Sequence, residues 1–132
     1  MSASEICLLG LVGWSILLTF MVVGVRLKPI LGGTLAFQQD GGDLPPFAQR
    51  VTRAHGNSLE NLAIPVALIL YGIATGQSAV TDGLAGVVLA ARLGQSLVHM
   101  ASGAHLAVLV RALLFVVQVV IWIVWGMTFY GG

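Results

Sequence analysis

Four apolar stretches run along the chain, and in three of them polar or charged residues interrupt the run at helical spacing. Residues 6–25 contain no charge over 20 positions, close to the ~20 that cross a ~30 Å hydrocarbon core. Arg26 and Lys28 close that run, ahead of Pro29, Gly32 and Gly33, so a first membrane helix is predicted over residues 6–28 with basic anchors at its exit. A turn-rich connector follows, carrying Gln38, Gln39, Asp40, Gly41, Gly42, Asp43 and the Pro45-Pro46 pair. The next apolar run, residues 62–74, has only 13 positions and cannot cross alone. The second helix must therefore begin earlier, and it is predicted over residues 47–74 with a local bend at Pro65. Arg53, Asn57 and Glu60 then fall at i, i+4 and i+7, a single stripe lying inside the bilayer. Such groups are expensive in hydrocarbon, so the stripe must face protein or a wet cavity. A short turn precedes a third helix over residues 83–101, interrupted by Arg92, and a fourth follows over residues 105–130. Trp122, Trp125 and Tyr130 are expected there as interfacial anchors.

Composition sharpens this into an all-α integral membrane protein, a single domain over residues 1–132 built as a four-transmembrane-helix bundle. Of the 132 residues, 58% are hydrophobic and 8% charged, far from the usual charged quarter. A net charge of +1 offers no nucleic-acid surface. The single cysteine, Cys7, cannot form an intramolecular disulfide and reads as a small hydrophobe. The first segment is too long and too weakly basic at its start for a cleaved signal peptide, and is read as retained. All six basic residues (Arg26, Lys28, Arg50, Arg53, Arg92 and Arg111) lie in the first connector or in helix halves adjoining it. That bias predicts a cytoplasmic connector with both termini on the outer side.

The third helix carries a second stripe, Arg92, Gln95, Ser96 and His99, and the fourth carries Arg111 near its start. With Arg26 and Arg53, four arginines from four helices converge on the inner half of the membrane. Glu60 and Arg92 both sit roughly 15 Å from the inner surface, at ~1.5 Å per residue, and are natural partners in either a structural or a ligand-binding role. Arg53, Arg111 and Arg26 then remain as surplus positive charge, which implies an anionic ligand, because a guanidinium binds carboxylates bidentately and keeps its proton. Lys28 and Arg50 suit snorkelling and topology setting. His55, His99 and His105 lack the spacing of a helical metal site, so no metal is predicted.

The segments RVTRAHGNSLEN, ARLGQSLVH and VRALLF resemble the MAPEG family, the membrane-associated proteins in eicosanoid and glutathione metabolism. The carrying pattern is R-x-x-R-A-x-x-N-x-x-E, met by Arg50, Arg53, Ala54, Asn57 and Glu60 at the start of a second membrane helix. The likeness is to its microsomal glutathione transferases, in a bacterial type, and covers essentially the whole chain. It implies a homotrimer with glutathione in a cytosol-facing cleft between neighbouring subunits. It also implies that Arg53, Asn57 and Glu60 line the tripeptide, that Arg26, Arg92 and His99 complete its pocket, and that Arg111 stabilises the thiolate as the catalytic residue. This sequence departs from the family at Gln95 and His99, where several relatives carry tyrosines or a histidine–tyrosine pair, and at Ala112, Phe115 and Gly56. These departures disfavour prostaglandin isomerase chemistry.

The function expected is that of a glutathione transferase or glutathione-dependent peroxidase at the bacterial inner membrane, acting on a hydrophobic electrophile or lipid hydroperoxide among membrane lipids. The alternative is a non-catalytic MAPEG-like lipid-binding or scaffold protein. A small four-helix exporter is disfavoured because residues 6–25 lack the acidic group such transporters depend on.

Overall fold

The structure, a computed structural model, describes residues 1–34 and 36–132; Leu35, in the first connector, lies outside the described residues. The described residues form five helices: α1 (Ala3–Leu31), α2 (Pro46–Glu60), α3 (Ala63–Ala74), α4 (Ala79–Ala101) and α5 (His105–Gly131). Three of them, α1, α4 and α5, are long and apolar enough to cross a membrane, and α2 with α3 reach that length only as a pair bent by 42°. The start of α1 precedes the expected one because Ser2 and Glu5 form a reciprocal capping box that satisfies the first free N–H groups. Pro46 stands at the first position of α2, where its missing N–H costs nothing. α3 ends in a Schellman arrangement, with Gln77 N–H donating to Gly72 O at 2.7 Å and Gly76 N–H to Ile73 O at 3.2 Å. Gly76 adopts φ +72°, a backbone conformation that other residues avoid.

α4 also begins earlier than its apolar run, which moves Asp82 from the expected turn into its first helical turn. The reason is a contact with the start of α1. The Asp82 carboxylate accepts from Ser4 N–H at 3.0 Å and from the Ser4 hydroxyl, itself in contact with Thr81. One carboxylate thus serves the positive ends of two helices, which favour negative charge.

α4 is the central helix, packed against each of the others. Its buried stripe runs Thr81, Ala85, Val88, Arg92 and Gln95, apolar in the first half and polar in the second. One apolar cluster joins Cys7, Leu11, Ile69, Ala85, Val88, Ile121, Trp122 and Trp125. A second joins Leu18, Val22, Val51, Ala54 and Met100 at the connector end. Trp122 and Trp125 were expected at the lipid interface but belong to the first cluster, 5% and 1% exposed; Tyr130, 97% exposed, is free of it. Their rings pack against residues of α1, α3 and α4, where each buries a large apolar surface. Arg50 ties the start of α2 to the end of α4 by donating from Nε to Met100 O at 2.9 Å.

Candidate functional site

α2 buries Ala48, Val51, Ala54 and Ser58 against the bundle and turns the Arg53–Asn57–Glu60 stripe outward. Arg53 and Glu60 are exposed and Asn57 is half-buried. The stripe forms a ridge between two hollows that α2 separates. The first, about 550 Å³, lies between α1 and α2 beneath the connector and is lined by Arg26, Phe37, Gln39, Thr52, His55 and Glu60 among others. There the Arg26 guanidinium stacks 5.2 Å from the centre of the Phe37 ring, its Nε buried without a partner, and His55 Nε2 lies 3.2 Å from the Thr19 hydroxyl. The second hollow, about 220 Å³, is lined by Asn57, Gln95, Val108, Arg111, Ala112 and Phe115. Arg111 is half-buried with Nε unpartnered, and neighbouring His99 is half-buried with Nδ1 unpartnered. His99 lies within the field of both Arg111 and Arg53.

Arg92 does not pair with Glu60. It is 3% exposed and lines neither hollow, whereas Glu60 turns to the Arg26 hollow. The physical reason is the break between α2 and α3. Pro65 has no N–H for the carbonyl of Asn61, four residues earlier, and Leu62 N–H bonds to Leu59 O instead of Ser58 O. Two carbonyls are thereby released inside the bundle. Arg92 takes both, Nη1 donating to Ser58 O at 2.6 Å and Nη2 to Asn61 O at 3.3 Å, while its guanidinium lies 5.8 Å from the Trp122 ring centre. Buried carbonyl groups left open cost about 1–3 kcal/mol each, so they outcompete an exposed carboxylate for the same donor. The bend expected at Pro65 itself therefore lies one turn earlier, at residues 61–62.

Beside Arg92, a polar layer continues to Gln95 and Gln118. Gln118, fully buried, donates from Nε2 to Gln95 Oε1 at 2.9 Å and to Leu114 O at 3.2 Å.

Three long helices packed around a bent pair match what the residue pattern resembles. The MAPEG family model matches residues 4–130, nearly the full length. The chain belongs to the MAPEG family. No curated protein matches the chain, and no solved structure matches it. Within this MAPEG chain, Asn57 and Arg111 share one hollow, Arg26 and Glu60 share the other, Arg53 stands on the ridge between, His99 lies in the field of Arg111, and Arg92 is committed to the backbone. Sequence reasoning missed Phe37, Thr52 and Gln118 as parts of this region, and weighed His55 only as a metal ligand. A neutral glutamine in an apolar run, as at Gln118, was the one available signal.

Proposed function

We propose that the protein is a membrane-bound glutathione transferase, with glutathione-dependent peroxidase capacity, acting on hydrophobic electrophiles or lipid hydroperoxides. The observation that carries this reading is Arg111: a half-buried guanidinium with an unpartnered Nε, in the wall of a hollow that it shares with the apolar Val108, Ala112 and Phe115 of the same helix. A thiol near pKa 8.5 is mostly protonated at neutral pH; a fixed positive charge beside it stabilises the thiolate, which is the nucleophile. The sulfur then attacks an electrophilic carbon held on the apolar side, forming a C–S bond as the displaced electron pair leaves with the departing group. With a hydroperoxide, it attacks the terminal oxygen, which keeps its hydrogen as a sulfenic acid; the O–O bond breaks, and the alkoxide leaves with the electron pair and takes a proton from water. A second glutathione converts the resulting sulfenic acid to the disulfide and water.

The tripeptide needs more room than the Arg111 hollow alone offers. Ligand sites usually enclose about 300–1,000 Å³, and the Arg111 hollow has about 220 Å³. Facing hollows on neighbouring copies, with Asn57, Arg53, His99 and Arg111 from one and Arg26, Glu60 and Phe37 from the next, would enclose it. The outer surface of the first half of α5, including exposed Leu106, Leu109 and Leu113, is available for such a neighbour. The homotrimer that the resemblance implies is the proposed assembly. The basic bias toward the connector supports a cytoplasmic site with both termini outside; a bacterial inner membrane is the proposed location.

Calorimetry with glutathione, then turnover with a general electrophile and a hydroperoxide, tests the reading. Binding and turnover are expected. Arg111→Ala should keep the oligomer while the ultraviolet thiolate band and turnover fall by about 10²-fold, the scale of a lost charge-stabilising donor. No binding at millimolar glutathione would favour the non-catalytic lipid-binding or scaffold reading instead.

A further inference from the structure

We propose that Gln95 supplies a second hydrogen-bond donor to the ligand sulfur beside Arg111, and that Gln118 is a positioning residue that holds the Gln95 amide in the donating orientation. This rests on the glutathione reading above. The orientation follows from a chain of acceptors. Leu114 O is a backbone carbonyl and can only accept, so the Gln118 amide must present its nitrogen there, at 3.2 Å. The same nitrogen reaches the Gln95 side chain at 2.9 Å, which must therefore present its oxygen. Turning Gln118 over would set its own oxygen against both acceptors. Gln118 is fully buried, and its Oε1 stays without a partner. The pair is therefore not arranged to satisfy its own atoms; it is arranged by Leu114.

With its oxygen turned to Gln118, Gln95 presents its nitrogen on the other side, a group with two N–H donors and no acceptor capacity. Gln95 lines the 220 Å³ hollow together with Arg111 and Asn57, and its nitrogen has no acceptor among the described residues. Arg111 likewise can only donate. Two pure donors on one hollow favour an electron-rich, negatively charged partner. A thiolate meets that demand, and a neutral thiol meets it much less well.

The titration of enzyme-bound glutathione, followed by the thiolate band against pH, reads this directly. In Gln95→Met, which keeps the shape and removes the donor, the midpoint should rise by about one pH unit, the scale of a hydrogen bond to a charged group. Gln118→Met should move it the same way, because a released Gln95 can turn its oxygen inward. A residue that merely filled space would lower stability and leave the midpoint where it was. An unchanged midpoint in both variants, or a loss of affinity without a change in midpoint, overturns the assignment and leaves the glutathione reading standing. A wild type that gives no thiolate band overturns both. Should neither variant fold, the wild type still decides: the Gln95 side-chain amide resonance should shift on adding glutathione and should not shift with S-methylglutathione to the same extent, and equal responses overturn the proposal.

Discussion

Arg92 does the work of two backbone N–H groups. Its guanidinium closes the Ser58 and Asn61 carbonyls at the point where the helix ladder is interrupted, in a region without water to substitute. Arg92→Met should therefore lower stability by roughly 2–3 kcal/mol, with Tm in detergent falling by on the order of 10 °C. Arg92→Lys should lose less, since an ammonium still donates but lacks the fork that spans both carbonyls. Equal Tm values for wild type and Arg92→Met would show that the carbonyls find other partners. The sequence made Arg92 conspicuous, because a charge inside an apolar run is rare, but it could not say what consumes that charge. Depth matching pointed to Glu60. It failed because a proline's effect falls four residues upstream, and the two freed acceptors were invisible to an argument that counted only side chains.

At the scale of elements, the same chemistry governs the bent pair α2–α3. Pro65 frees one acceptor and Arg92 donates to it, so the two residues are coupled through the Asn61 carbonyl. Pro65→Ala would restore an N–H to that carbonyl and allow the ladder to close. The double variant Pro65→Ala/Arg92→Met should then be more stable than the sum of the single changes implies, by about 0.5–2 kcal/mol. Thermal unfolding of the four proteins in one detergent measures this, and strictly additive losses would break the proposed link. The 42° bend also decides what α2 displays: the half before it carries Arg53, Asn57 and Glu60, and the half after it carries only apolar residues. Helix existence was legible from the apolar runs, and the polar first half of the pair from length arithmetic. The starts of α1 and α4 were not, because Ser2, Ser4, Asp82 and Thr81 act through capping and contact across 78 positions rather than through hydrophobicity.

For the whole molecule, the two hollows on opposite sides of α2 make a specific demand. A single chain holds Arg111 in one and Arg26 in the other, with α2 between them. In the proposed trimer, a head-to-tail cyclic interface would bring the Arg111 hollow of each copy against the Arg26 hollow of the next. Native mass spectrometry should then give three times the 13.8 kDa chain mass. Complementation tests the sharing of residues, which mass cannot. Arg26→Ala and Arg111→Ala should each abolish most turnover alone. Co-expressed in equal amounts, they assemble at random, and an interface is intact when an Arg26→Ala copy presents its Arg111 to an Arg111→Ala copy that retains Arg26. That arrangement arises at about a quarter of interfaces in a cyclic trimer, so about a quarter of wild-type turnover should return. If both residues served a site within one copy, every site would lack one of them and no activity would return on mixing.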